Sequence, residues 1–253
     1  MEIPKYDFDS TILLFNLGDI HRGDLCCNTN LVQKTIGAIA ATQNAYWVST
    51  GDLLNCAFKN SVSDSYKSAP LGVEYKWLRK EIKPIAHKCL GVVSSNHHRR
   101  FEKAVGMSLD EVLCDALDLP FRGNSGVINI TLGGASYYIC LHHGHGGGRM
   151  RGAKANNLER FFDIYPGADI YMTGHTHTFD FFINKVQYID RKRNNLIQYP
   201  SYFCSTAHFL NWKESYGEEL MYKPGIEGCA MLTLYHRTTG NFGRKRVKGD
   251  LFR

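Results

Sequence analysis

Five times along this 253-residue chain, a short apolar run ends in side chains able to bind a metal ion. Asp19-Ile20-His21 follows the run Ser10 to Leu17, Gly51-Asp52 follows Ala45 to Ser49, and Asn96-His97 follows Cys89 to Ser94. His142-His143-Gly144-His145 follows Ala135 to Leu141, and Gly174-His175-Thr176-His177 follows Asp169 to Thr173. Each run has the length and content of a buried strand. Ligands in open α/β sheets gather beyond the carboxyl ends of strands. Any one of these motifs alone is an ordinary turn or cap. Together they describe one rim of one sheet, with enough oxygen and nitrogen donors for two metal ions.

The segments between the runs set the fold class. Asn30 to Thr42, Gly72 to Ala86, Ser108 to Leu117 and Lys154 to Tyr165 have helical spacing, with Pro84 placed to kink or end the second. Ser108 and Glu111 have capping-box spacing. Gly133-Gly134 separates the β-prone runs Gly126 to Leu132 and Ala135 to Leu141, which predicts a hairpin. Phe179 to Ile189, Leu196 to Phe203 and Cys229 to Tyr235 read as further strands, without helices between them. Strand–helix alternation followed by strands predicts a layered α/β sandwich with mixed pairing. One domain spanning 1–253 accommodates it, ending in a flexible basic tail over 240–253.

Asp, Asn and His offer hard oxygen and borderline nitrogen donors, a set suited to Mn²⁺, Fe, Zn²⁺ or Ni²⁺. Two cations held close together repel and need a shared anionic ligand. Asp52, in the middle of the series, is the candidate bridge. A hydroxide bridging two ions about 3.5–4 Å apart is a strong nucleophile at neutral pH, and the ions neutralise charge on a transferring phosphoryl group.

The order Asp-x-His, Gly-Asp, Asn-His, His and Gly-His-x-His resembles the calcineurin-like metallophosphoesterase family over roughly residues 11 to 180. The resemblance implies a four-layer α/β/β/α sandwich with mixed sheets. It implies one metal ion on Asp19, His21, Asp52 and His177, and a second on Asp52, Asn96, His175 and a histidine of the His142–His145 cluster. His143, directly before Gly-His, is the preferred member and His142 the alternative. Strand alternation lets only one of the two face the ions. With Asp52 and Asn96, His97 belongs to the catalytic group that the resemblance implies. Its imidazolium would stabilise the phosphoryl oxygens and protonate the leaving oxygen. Arg99, Arg100 and His145 are candidate substrate contacts.

Two positions depart from the family pattern. Ser95 stands where a glycine is usual, and His98 where an acid is usual. That acid would orient the catalytic imidazole; without it His97 is expected to have a lower pKa or a looser orientation, with Asp24, Asp64 or Glu102 as candidate substitutes. The residues that read through these changes give a dinuclear-metal phosphoesterase. A phosphodiester substrate is favoured, with DNA or RNA among the candidates. A phosphomonoesterase or protein phosphatase is the alternative, and a non-catalytic metal-binding scaffold the third reading.

The formal net charge of +6, with basic groups at Arg99-Arg100, Arg149 to Lys154, Arg191 to Arg193 and Arg244 to Lys248, favours a polyanionic partner. Eight cysteines without a Cys-x-x-Cys pair suit buried thiols in a reducing cytoplasm. No membrane span and no signal peptide is read in the sequence. Trp212, Tyr216 and Tyr222 lie in a predicted surface loop, and the oligomeric state is left open.

Overall fold

The computed structural model describes residues 2–57, 66, 68–146, 148, 150–236 and 245–253. In chain order the elements begin with β1 (Lys5–Phe8), β2 (Ile12–Asn16), α1 (Thr29–Ala41), β3 (Ala45–Ser49) and α2 (Leu71–Ile82). A 3-10 helix (Lys83–Lys88) then leads to β4 (Cys89–Val92), α3 (Asn96–Val105) and α4 (Leu109–Leu117). The hairpin β5 (Ser125–Leu132) and β6 (Ala135–His142) precedes α5 (Arg151–Glu159), α6 (Phe161–Ile164) and β7 (Ile170–Thr173). The chain closes with β8 (Asp180–Asp190), β9 (Asn195–Ser205), α7 (Tyr216–Glu219), β10 (Cys229–Leu234) and β11 (Val247–Phe252).

These strands form two mixed sheets, in keeping with the four-layer pattern that the family resemblance implies, where the strand runs alone suggested one rim of one sheet. One sheet has the order β11-β10-β2-β3-β4, the other β1-β5-β6-β7-β9-β8. Strands β2, β3 and β4 run parallel, as do β6, β7 and β9. The second sheet exists because β6 pairs back onto β5 in a hairpin and then onto β7, with no strand joining it to β4.

Alternation along the strands explains the layering. Leu14, Val48 and Leu90 share a buried cluster with Ile139, Leu141, Ile170 and Met172, which joins the two sheets face to face. Their neighbours Phe15, Trp47 and Cys89 point the other way, against Val32, Ile36 and Ile39 of α1 and Leu78 and Ile82 of α2. On the far side, Cys140, Tyr171 and Phe203 pack against Leu158 of α5 and Phe161 of α6. The order is helix, sheet, sheet, helix, because successive residues of these strands point to opposite faces and both faces carry apolar side chains that need covering.

Local signals place the helices. The Asn28 side chain caps α1 by accepting the Leu31 N–H at 3.1 Å, and Ser108 accepts the Glu111 N–H at 3.3 Å at the start of α4. Beyond the far end of α1, the Lys88 ammonium donates to the carbonyls of Ile39 and Thr42, both at 2.7 Å. The expected helix over 154–165 divides into α5 and α6, and α3 and β1 have no counterpart among the expected elements. The expected flexible basic tail is corrected in part. Val247–Phe252 is β11, antiparallel to β10, with Val247 buried and the Phe252 ring 5.4 Å from that of Phe15. Its apolar residues anchor it despite the basic neighbours; residues 240–244 lie outside those described. No helix among the described residues is long and apolar enough to cross a membrane.

Candidate metal centre

All five sequence clusters meet where the C-terminal ends of the two parallel strand sets come together. Residues after β2, β3 and β4 supply Asp19, His21, Asp52, Asn96 and His97; residues after β6 and β7 supply His143, His175 and His177. The chain turns abruptly after β2, β3 and β7 to do this. Asp19, His21, Asp52, His175 and His177 all have φ between 49° and 68°, in the left-handed region. That conformation is uncommon for residues with a side chain, and strain of this kind collects at functional sites. Two glycines let the rims approach. A Cβ on Gly51 would lie 2.6 Å from Ser95 Cβ, and one on Gly174 would lie 2.8 Å from Asp19 Oδ2 and from Thr50 Oγ1. Ser95 itself is extended, with φ −127° and ψ 167°, so no glycine is required there.

Three groups of donor atoms lie within 4.8 Å of one another: Asp19–His21–His177, Asp52–His143–His175 and His21–Asp52–His97. In the first, His21 Nε2 is 2.9 Å from His177 Nε2, and each is near Asp19 Oδ1, at 3.9 and 3.8 Å. In the second, His143 Nε2 is 3.2 Å from Asp52 Oδ2, 2.8 Å from Asn96 Oδ1 and 3.2 Å from His175 Nδ1. Asp52 Oδ2 also lies 3.8 Å from His21 Nε2 and 3.8 Å from His97 Nε2, so it stands between the groups. Backbone amides hold the carboxylates: the His175 N–H donates to Asp19 Oδ2 at 2.8 Å and the His97 N–H to Asp52 Oδ1 at 3.3 Å.

Of the two adjacent histidines, His143 faces this centre. Its Nδ1–H donates to the Thr50 carbonyl at 2.7 Å, which leaves Nε2 for the site. The His142 ring packs 5.5 Å from Phe161, and its Nδ1 accepts the Gly144 N–H at 2.8 Å.

Electrostatics match a cation site. Burial pushes the pKa of His21 and His177 well below the ordinary value, and that of His175 down to about 4. The rings are therefore neutral, and each keeps one nitrogen able to bind a cation. Burial opposes charge on Asp52, but the imidazoles of His143 and His97 outweigh it and hold its carboxyl well below the usual range. Fully buried Asp19 is pushed well up. Burial works against a proton on His143, yet Asp52 more than offsets it and raises its pKa to about 9. The donor set fits two divalent ions, because carboxylate oxygens and imidazole nitrogens converge in groups joined through Asp52, where a bound cation would displace the proton of His143.

The oriented histidine departs from expectation. The His97 Nδ1–H donates to the Asn55 carbonyl at 2.7 Å, so a backbone oxygen does the work for which an acid was sought. Asp24 instead accepts the Cys26 N–H at 2.8 Å, Glu102 is exposed, and Asp64 lies outside the described residues. His98, in the place of the usual acid, is buried and its Nδ1 bonds Asp110. Burial opposes charge on His98, and Asp110 more than offsets it, drawing the pKa well above the ordinary value. A second proton on Nε2 would nevertheless face the Leu54 N–H, which is 3.2 Å away. The hydrogen bonds fix the neutral ring, with its proton on Nδ1.

The proposed substrate contacts stand further out. Arg99 and His145 are exposed and near enough to His142 to depress its pKa after burial and His143 have done so, while Arg100 is half-buried. Sequence reasoning missed His208, although it follows β9 as the other clusters follow their strands. Its ring stacks on His177 with centroids 5.1 Å apart and planes at 24°. It also missed Tyr216, whose hydroxyl is 3.4 Å from His177 Nδ1, and Lys154, which donates to Thr176 O and Thr178 Oγ1, both at 2.7 Å.

No protein-family model matches this chain, and no curated protein matches it. Among solved structures, it is similar to Vps29 from Chaetomium thermophilum, at 14% identity over 94% of this chain and 96% of that one, with a TM-score of 0.40. The calcineurin-like phosphoesterase YfkN from Bacillus subtilis is similar at 12% identity, over 96% of this chain and 91% of that one, with a TM-score of 0.42. A predicted phosphoesterase from Streptococcus pneumoniae TIGR4 is similar at 12% identity, over 96% and 100%, with a TM-score of 0.38. At such identities and TM-scores no activity carries over, and what the centre can do is read from its own residues.

Proposed function

We propose that this protein is a dinuclear-metal-dependent phosphoesterase that favours phosphodiesters, nucleic acid among them. The convergence of five strand-end loops on Asp52 is the observation that supports this reading. Asp19, His21, Asp52 and His177 would hold one divalent ion, and Asp52, Asn96, His143 and His175 the other, with Mn²⁺ the preferred metal. Ions held there neutralise phosphoryl oxygens and acidify water into a nucleophile at neutral pH.

The chain's own residues do the rest. The Thr50 carbonyl fixes the tautomer and orientation of His143, and backbone amides aim Asp19 and Asp52. His97, tethered through Nδ1, presents Nε2 to the centre; burial lowers its pKa, and a bound phosphate anion together with Asp52 would support the imidazolium whose Nε2–H passes to the leaving oxygen. Arg99, Arg100 and His145 would bind the free oxygens of the phosphate, a reading supported by Arg100 acting on His97 and His145 on His175 to lower their pKa after burial. The net charge of +6 and the exposed Arg191-Lys192-Arg193 between β8 and β9 support a polyanionic substrate. Eight free cysteines fit a reducing, cytoplasmic compartment.

A phosphomonoesterase is the second reading, and a confined cavity beside His175 and His177 favours it. The scaffold reading drew on His98, whose bonds to Asp110 and Leu54 give that residue a structural task outside the centre. The test is a metal series on depleted protein, with bis-p-nitrophenyl phosphate and p-nitrophenyl phosphate side by side. Mn²⁺-dependent turnover should be faster on the diester and nearly abolished by Asp52→Asn. No turnover of either ester with Mn²⁺, Zn²⁺ or Ni²⁺ overturns the reading.

A further inference from the structure

Next to the centre lies a cavity of about 300 Å³, bounded by His175, Thr176 and His177 and continuing along Trp212, Tyr216 and Tyr222. The aromatic wall begins at the metal centre itself, since the Tyr216 hydroxyl is 3.4 Å from His177 Nδ1. The rings of Tyr216 and Tyr222 meet edge to face, with centroids 6.3 Å apart and planes at 77°. Trp212 spends its indole N–H on the Tyr222 carbonyl at 2.9 Å, so it offers the cavity a fixed ring and no donor. Two lysines share the lining. Lys223 is exposed, while Lys154 is half-buried, with two of its three N–H groups taken by Thr176 O and Thr178 Oγ1. The third remains for a ligand oxygen.

We propose that this cavity is a nucleoside subsite, so that the phosphoester handled at the centre carries a nucleobase that stacks on the Trp212–Tyr222 wall. The inference rests on the phosphoesterase reading and names its substrate class. Fixed aromatic rings bind flat bases of any kind, and the half-buried Lys154, held against Thr176 in the same lining, suits a sugar-phosphate oxygen. A cavity at the lower end of the range for small ligands takes one nucleoside and excludes a run of stacked bases. The aromatic loop therefore does more than close the surface, because it brings three rings and Lys223 to the lining of a cavity that Lys154, His175 and His177 also line.

Two measurements separate this proposal from the reading beneath it. The first compares thymidine 5′-(p-nitrophenyl phosphate) with methyl p-nitrophenyl phosphate, which share a leaving group and differ in the nucleoside. The wild type should prefer the nucleoside ester, and Tyr222→Ala should raise its KM by about 5- to 100-fold with kcat little altered. Tyr222→Phe should restore the preference, which a collapsed loop would not. The second titrates metal-free protein with thymidine 5′-monophosphate and follows tryptophan fluorescence. Trp47 and Trp77 pack in the helix–sheet core, so a saturable quench that vanishes in Trp212→Phe reports this cavity. Quenching without turnover of either ester keeps the subsite and retires the phosphoesterase reading. Equal kcat/KM for the two esters, with no quench, overturns the subsite and leaves that reading standing. Cleavage of a linear oligonucleotide alongside the small ester makes the source of the nucleoside a strand end, and no cleavage makes it a free nucleotide; both uphold the subsite.

Discussion

His21 Nε2 and His177 Nε2 face each other at 2.9 Å across 156 residues of chain, one after a strand of each sheet. Burial lowers the pKa of both, so both rings are neutral and one can donate its Nε2–H to the other. A cation bound there would replace that single hydrogen bond with two nitrogen ligands. His177→Ala should therefore lower bound metal from two ions per chain to about one, read by elemental analysis of the folded protein. Turnover should fall by more than about 100-fold, beyond the usual loss for residues that only support a ligand. Retention of both ions would place the first site elsewhere.

His143 gives the centre a pH dependence. Its pKa of about 9 lies above the ordinary 6.5, so below pH 9 a metal ion must displace the proton on Nε2. Apparent metal affinity should rise by about tenfold per pH unit from this group up to pH 9 and then flatten. Proton release measured by calorimetry in buffers of different ionisation enthalpy checks it. The sign reverses for the metal-free protein. A raised folded pKa means that the His143–Asp52 pair contributes its full stability below about pH 6.5 and loses it as pH climbs through about 9. Denaturant midpoints of the metal-free protein should fall over that window.

His97→Ala should discriminate among leaving groups. General-acid catalysis is worth about 100-fold or more when the leaving oxygen needs a proton, and little for p-nitrophenolate. Rates across a series of diesters with leaving groups of rising basicity should fall more steeply in the variant. An unchanged slope would remove the proton-donor role without touching the metal ligands.

His98→Ala should cost stability rather than chemistry. Removing the imidazole leaves the buried Asp110 carboxyl without the Nδ1–H it accepts, a loss of about 1–3 kcal/mol. Thermal unfolding should shift down, while metal content of the folded fraction stays at two ions per chain. Loss of metal with unchanged stability would contradict the structural assignment of His98.

The residues of the centre were legible before any coordinates because each follows a strand, and strand-like runs are visible in sequence. Asp19, His21, Asp52, Asn96, His175 and His177 all come together, and the capping of α4 by Ser108 is likewise local. The partition into two sheets was less visible. It depends on which strands find each other, and β5–β6 pairing separates the sets through contacts the local pattern does not encode. The strand β11 was hidden for a related reason, since its basic residues outweigh Val247 and Phe252 in composition but not in packing.

Side-chain direction was beyond the sequence. Only the fold turns His143 toward Asn96 and His142 toward Phe161, assigns His97 to the Asn55 carbonyl, and pairs His98 with Asp110. The same holds for His208, Tyr216 and Lys154, whose positions in the chain say nothing of the cavity they share. The sequence by itself determined which donors stand at strand ends, because alternation and strand length are properties of consecutive residues. Tertiary structure alone decided which of those donors face one another, because an approach of 2.9 Å between His21 and His177 is fixed by how two sheets pack.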